Sequence, residues 1–258
     1  MKLTVLIPAH NEEGSIGKTV EGLYNALSQA NIPHEILVVN DHSTDGTLET
    51  LEKLSQNIPS LRFTTNQTSG GFGLAIRWGF RKMSGDCVAI YMADASDSPF
   101  DLIRFYRLML STQTDAVFGT RFHKKSKVTG YPRLKLVLNR LANKFIQLLF
   151  GLRYNDVTNA FKLYKTSVIK NLEPLLSHHF NLTVELPLKT IIRGHQYKVI
   201  SNDWRGRTEG YSKLNLQEMG SRYLFIILYC FLEKWLSRGD YLENIHENSV
   251  PSEVSSSV

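Results

Sequence analysis

Short apolar runs, each followed by a polar loop and then an amphipathic stretch, fill the first half of the chain. Leu3–Ile7 reads as a buried strand, with Pro8-Ala9-His10-Asn11-Glu12 as its loop and a helix capped by Ser15 running to about Gln29. Glu35–Val39 predicts a second strand, which ends in the polar run Asn40–Thr47; there Asp45 is placed to cap a helix over Thr47–Gln56. A weaker strand, Arg62–Thr65, leads into Ser69-Gly70-Gly71-Phe72-Gly73 and a helix over Leu74–Met83. The compact run Cys87–Met92 stops at Ala93-Asp94, and Ser98-Pro99 with Asp101 behind it predicts a helix that carries on to about Leu110. Asp115–Arg121 is another strand. Strands alternating with helices in this way predict an α/β fold with a mostly parallel sheet covered on both faces.

The pattern then changes. Arg133–Phe150 has helical periodicity, with Leu134, Leu138, Leu141, Phe145 and Leu148 on one stripe and Arg133, Arg140 and Lys144 on another. Such a helix suits the surface of an anionic membrane or, equally, packs its apolar stripe into a core with solvated basic flanks. Asp156–Tyr164 reads as a loop entering a strand, and Glu185 falls in a helix with Leu182, Leu186 and Ile192. The last ordered element spans about Leu216–Leu236. Its apolar centre, Tyr223–Leu232, can lie in a bilayer interface but is too short to cross one.

Charge sharpens this picture. The net charge is +6, yet from Asp240 onward there are four acids (Asp240, Glu243, Glu247, Glu253) and no Lys or Arg, so 240–258 reads as a disordered acidic tail on a more basic body. Between Ala116 and Asn155 stand nine Lys or Arg and no acid, which points to an anionic partner. Nucleic acid fits poorly, because the basic stretch lacks interleaved aromatics and no nucleic-acid motif is present. Cys87 and Cys230 lie inside apolar runs and read as buried thiols in a reducing compartment. Met1–Pro8 is too soon broken by proline to read as a secretion signal.

Some motifs fail on inspection. Gly17-Lys18-Thr19 imitates the end of a phosphate-binding loop, but the required upstream glycine is Glu12. Gly71 and Gly73 do not complete a dinucleotide fingerprint, because Ile76 occupies the third glycine position. They permit close backbone approach to a ligand, or make a simple turn. His178-His179 has no spaced partner for a metal. What survives is a set of carboxylates at strand ends, where α/β sheets bind ligands. Asp94 reads as a working residue, or with Ser96 and Asp97 as turn and cap chemistry; Asp41 reads as an acceptor for a base or ribose, or as an Asx turn.

Six blocks, in order, resemble the family-two glycosyltransferases, most closely the dolichol-phosphate (polyprenyl-phosphate) mannosyltransferase type. They are VLIPAHNE at Val5–Glu12, LVVNDHSTDGT at Leu37–Thr47, MADASDSP at Met92–Pro99, FGTRF at Phe118–Phe122, DVTNAFKLY at Asp156–Tyr164 and RTEGYSKL at Arg207–Leu214. The resemblance implies a glycosyltransferase-A fold: one Rossmann-like domain over 1–239 with a C-terminal amphipathic helix. Residues 1–122 would form its nucleotide-sugar half and 123–239 its acceptor and membrane-facing half. It implies that Pro8, His10, Glu12, Val39 and Asp41 hold base and ribose, and that Ala93 and Asp94 meet the diphosphate and its Mg²⁺ or Mn²⁺. Arg121, Arg207 and Lys213 would meet phosphates. Two departures stand out. Met92 replaces the first Asp of the usual Asp-x-Asp metal motif, and a thioether is unsuited to hard cations, so Asp94 carries the metal, with Ser96 and Asp97 as further candidates. Lys135 and Asn139 occupy positions, usually basic and hydroxyl, associated with the acceptor phosphate.

The implied activity is inverting transfer of a sugar from GDP-mannose or a UDP-hexose to a polyprenyl or dolichyl phosphate, at the cytoplasmic face of a membrane. Asp94, Arg121, Lys135 and Arg207 would carry it. An alternative acceptor is a sugar hydroxyl, which needs a general base, with Asp97 and Glu185 as candidates. A second alternative is an inactive nucleotide-sugar-binding module.

Overall fold

The computed structural model describes residues 1–206 and 216–240. In chain order, β1 (Leu3–Ala9), α1 (Glu13–Gln29), β2 (His34–Asn40), α2 (Thr47–Ser55), β3 (Leu61–Thr65), α3 (Phe72–Lys82) and β4 (Cys87–Ile90) make the first half of the sheet and its helices. There follow α4 (Pro99–Thr112), β5 (Ala116–Thr120), the short β6 (Val128–Thr129), α5 (Arg133–Phe150), β7 (Lys162–Lys165) and α6 (Thr166–Asn171). The described chain closes with α7 (Leu182–Ile192), β8 (Tyr197–Ser201), β9 (Trp204–Arg205) and α8 (Leu216–Leu236). The seven-stranded sheet has the order β3-β2-β1-β4-β7-β5-β8. Only β7 runs against its neighbours, pairing antiparallel with both β4 and β5, so the sheet is mostly parallel as predicted.

Both faces of the sheet are covered. Alternating side chains of β1 explain how: Leu3, Val5 and Ile7 point to one core with Val20 and Leu23 of α1 and Leu102 and Phe105 of α4. Leu6 points to the other, with Ala75 and Ile76 of α3, Leu186 of α7 and Ile226 of α8. Burying each Leu or Ile of this kind contributes about 1.5–3 kcal/mol, so the near-continuous apolar runs of the central strands are what two-sided burial requires.

Local expectations fare differently. Ser15 does not cap α1: the helix begins at Glu13 behind Glu12, and the Ser15 hydroxyl, within the first turn, donates to Glu12 Oε2 at 3.0 Å. Asp45 is not the N-cap of α2, which is Gly46; one residue further out, its Oδ1 accepts the Thr47 N–H at 3.1 Å and the Thr47 hydroxyl at 2.5 Å. β4 ends at Ile90, two residues short of the predicted strand, although Tyr91 is still buried and its N–H still reaches the Leu6 carbonyl.

The bounds of α5 match the periodicity, but its apolar stripe is not core: Leu134, Leu141 and Leu148 are 68%, 62% and 73% exposed, and the helix is seated instead by Asn143, Ile146 and Phe150. α8 is likewise split, with Ile226, Ile227 and Cys230 inside and Leu224, Phe225, Leu232 and Trp235 outside. No helix among the described residues is long and apolar enough to cross a membrane.

Candidate functional site

β1, β2 and β4 are parallel, so the loops leaving them gather on one rim of the sheet. A hollow of about 1050 Å³ opens there, and it contains both Asp41 and Asp94. Pro8, His10 and Glu12 line it from the loop after β1, and Asp94, Ser96 and Asp97 from the loop after β4. Arg121 and Lys135 face it from the other flank. Val39 and Ala93 do not line it, since their side chains are buried in the two cores. Arg207 and Lys213 lie outside the described residues; Gly206, the last described residue before them, lines the hollow.

Asp41 is held rather than loose. Its Oδ1 accepts the Asn66 amide at 2.8 Å and its Oδ2 the Gly71 N–H at 2.8 Å, while His10 Nδ1 sits 2.6 Å from the Asp41 carbonyl oxygen. The glycines around Gly71 allow close approach, but the nearest partner is the chain itself. Gly71 has φ 150°, and a Cβ there would lie 2.6 Å from the His178 carbonyl oxygen. The ring of Phe72 stacks on Phe180 with centroids 4.2 Å apart, fixing the same junction.

After β4 the chain doubles back. Asp94 Oδ1 accepts the Ser96 N–H at 3.1 Å, Ala95 adopts a left-handed φ of 54°, and the Tyr91 hydroxyl donates to the Asp97 carbonyl. The Asp97 carboxyl is buried, which pushes its pKa up to about 7; the nearby charge of Asp94 pushes the same way and Arg121 opposes it. Its Oδ2 has no hydrogen-bond partner. Two carboxylates in one hollow, one with an orphaned oxygen, fit a hard divalent cation, which takes oxygen ligands and often only one or two carboxylates beside a substrate phosphate.

The opposite flank is built on a buried ion pair. Arg121, at the end of β5, is gripped through Nε (2.9 Å) and Nη2 (2.7 Å) by Asp156, and its cation lies over the rings of Phe122 and Tyr131. Asp156 drives the Arg121 pKa further upward, so the guanidinium is permanently charged. Asn139 joins Tyr131, Asn143 and Thr158 in one hydrogen-bond network on the inner side of α5. The loop that carries Asp156 and Thr158 is tied down by Lys162, whose Nζ donates to the surrounding carbonyls of Val157, Asn159 and Thr183.

Glu185 is not at the site. It is fully buried, ion-paired with Lys189 at 2.8 Å and accepting the N–H groups of Leu176 and Ser177, so it cannot serve as a general base in the hollow. Asp156, Tyr131 and Trp204 were not anticipated as site residues. The DVTNAFKLY block was the available signal for Asp156, whereas nothing in the local pattern around Tyr131 or Trp204 marks them.

Comparison with known proteins follows the same outline. The family described as Glycosyl transferase family 2 matches residues 4–173. The polyprenol monophosphomannose synthase of Mycolicibacterium smegmatis is 28% identical over 219 residues, covering 82% of this chain and 80% of that protein. The undecaprenyl-phosphate mannosyltransferase of Micrococcus luteus is 24% identical over 242 residues, covering 91% and 96%. Among solved structures, the glucosyl-3-phosphoglycerate synthase of Mycobacterium tuberculosis in complex with Mn²⁺ and UDP-glucose superposes with a TM-score of 0.68 at 15% identity. That match covers 90% of this chain and 78% of that one, and is a likeness of fold.

Proposed function

Because the chain belongs to glycosyl transferase family 2 and has the glycosyltransferase-A fold, we propose that it moves a sugar from a nucleotide sugar to a polyprenyl or dolichyl phosphate at a membrane surface. The donor would be GDP-mannose or a UDP-hexose. The observation that carries this reading is the make-up of the hollow. Carboxylates and the cations Arg121 and Lys135 line it together, with an apolar wall that includes Leu138 and Phe145 of α5 and Leu224 of α8. The outer faces of these two helices expose the apolar side chains a bilayer interface would take. The two relatives named for polyprenol and undecaprenyl-phosphate chemistry support the same acceptor class.

In this reading residues 1–122 hold the donor, with Pro8, His10, Glu12 and Asp41 on its base and ribose. Val39 and Ala93 are left with main-chain contacts. Residues 123–239 receive the acceptor, whose phosphate Arg121 and Lys135 position, joined by Arg207; Lys213 meets a phosphate of donor or acceptor. An acceptor phosphate oxygen forms a bond to the anomeric carbon as the bond from that carbon to the diphosphate breaks. The electron pair leaves with the nucleoside diphosphate, and the sugar is inverted. A lipid phosphate is already anionic, so no base is required. Asp94, with Ser96 and Asp97 as further candidates, would hold Mg²⁺ or Mn²⁺, which when bound neutralises charge growing on the departing diphosphate.

One observation favours a second reading. A carboxyl raised to about 7 inside the hollow, as Asp97 is, suits a general base, and a sugar hydroxyl acceptor needs one. The deciding experiment is a screen of labelled GDP- and UDP-sugars against membrane extract and against free saccharides. Organic-soluble, mild-acid-labile product lost in Asp94→Ala supports the lipid phosphate. Labelled saccharide alone supports the hydroxyl. Donor binding without transfer or hydrolysis would leave only an inactive binding module.

A further inference from the structure

The loop after β4 returns to the strand it leaves. The Tyr91 hydroxyl fixes the Asp97 carbonyl, and the Asp97 carboxyl lies at the backbone N–H of Met92. Sequence spacing puts Asp97 five residues beyond Met92, yet the fold places its carboxylate against the position whose own side chain is a thioether. Asp97 is 6% exposed, lines the hollow beside Asp94, and leaves Oδ2 buried with no hydrogen-bond partner. A buried carboxylate oxygen without a donor is costly unless a cation or proton satisfies it. Met92 also lines the hollow, but its sulfur is a poor ligand for a hard cation.

We propose that Asp97 supplies the carboxylate that Met92 lacks, so that Asp94 and Asp97 together hold a divalent cation against the diphosphate of a nucleotide. This rests on the donor reading given above and adds to it a ligand pair spaced three residues apart. The orphaned oxygen is then a coordination position, on a carboxylate that lines the same hollow as Asp94 across the left-handed bend at Ala95.

The test is Mn²⁺ binding by electron paramagnetic resonance, with GDP and separately with UDP present, on the wild type, Asp97→Asn and the double variant Met92→Asp/Asp97→Asn. Calorimetry of each diphosphate without metal runs in parallel. Asp97→Asn is expected to weaken Mn²⁺ by about tenfold or more, at least the loss that follows removal of an outer-sphere partner. Met92→Asp is expected to restore most of it. At equal Mn²⁺ concentration the rise in melting temperature should be larger for the wild type than for Asp97→Asn, which a merely structural role would not produce. Unchanged Mn²⁺ affinity in Asp97→Asn, with diphosphate still bound, overturns the proposal alone and returns Asp97 to the role of base. Failure of the wild type to bind either diphosphate overturns the donor reading and the proposal together. Asp97→Ser serves if the asparagine variant does not fold; loss of folding in both makes Asp97 structural and also overturns it.

Discussion

Asp156 holds Arg121 at three points: Oδ1 accepts from Nη2 at 2.7 Å, and Oδ2 accepts from Nε at 2.9 Å and from the Arg121 backbone N–H at 2.8 Å. Neither side chain is more than 9% exposed. Asp156→Ala strands a buried guanidinium, and such losses run to about 3–5 kcal/mol. The expected result in urea unfolding is a large drop for Asp156→Ala and a smaller one for Arg121→Met/Asp156→Leu, which removes both charges. A midpoint unchanged by Asp156→Ala would show that the fork contributes nothing to the fold.

Asp41 accepts from two donors on opposite oxygens, the Asn66 amide and the Gly71 N–H. Asp41→Asn replaces one acceptor by a donor whichever way the amide turns. The cost of one buried group left unsatisfied is about 1–3 kcal/mol, or roughly tenfold to a hundredfold in an equilibrium. In urea unfolding the variant is expected to lose about that much stability, and in calorimetry to bind GDP or UDP more weakly than the wild type. Equal affinity in the variant would remove Asp41 from the donor site.

Leu141 and Leu148 are among the exposed side chains of α5, so the pair Leu141→Glu/Leu148→Glu should change folding stability by no more than about 0.5 kcal/mol each. The same pair should abolish flotation with anionic vesicles if α5 and α8 form the membrane face. Undiminished flotation would transfer that role elsewhere.

Lys162 provides a pH signature. Burial lowers its pKa from 10.5 to about 7, with Asp156 opposing the shift and Arg121 adding to it. Between about pH 7 and 10.5 the unfolded chain therefore binds more protons at this residue than the native protein does, and stability rises with pH across that window. Comparison with Lys162→Met isolates the effect from tyrosines and thiols that titrate higher. From pH 7 to 9 the wild type should gain on the order of 2–3 kcal/mol relative to the variant, at 1.36 kcal/mol per pH unit. Parallel stability curves would mean that Lys162 keeps its charge throughout, held by its three carbonyls.

Periodicity made the long elements legible. The bounds of α5 and α8 are those the apolar spacing predicts, because a two-faced helix writes its faces into the sequence whatever it packs against. What covers a face is another matter. The stripe on α5 has the same signature in a core or on a surface, and only the placement of Asn143 and Ile146 inward resolves it. Asp41 and Asp94 were readable at strand ends because parallel strands deliver their loops to one rim. Glu185 misled because a carboxylate four residues before Lys189 is written identically whether the pair is solvated or, as here, fully buried. The orphaned Asp97 oxygen depends on a fold-back that no spacing rule encodes.

Phe118 near the end of β5 pairs with Lys162 at the start of β7, so everything from Arg121 to Phe161 leaves and re-enters the sheet through adjacent strands. An excursion with neighbouring endpoints is a cassette: its length and content can drift while the strand order around it stays fixed. The rim that carries Asp41 and Asp94 is built on β1, β2 and β4, all outside that excursion, so its geometry is set before the cassette begins.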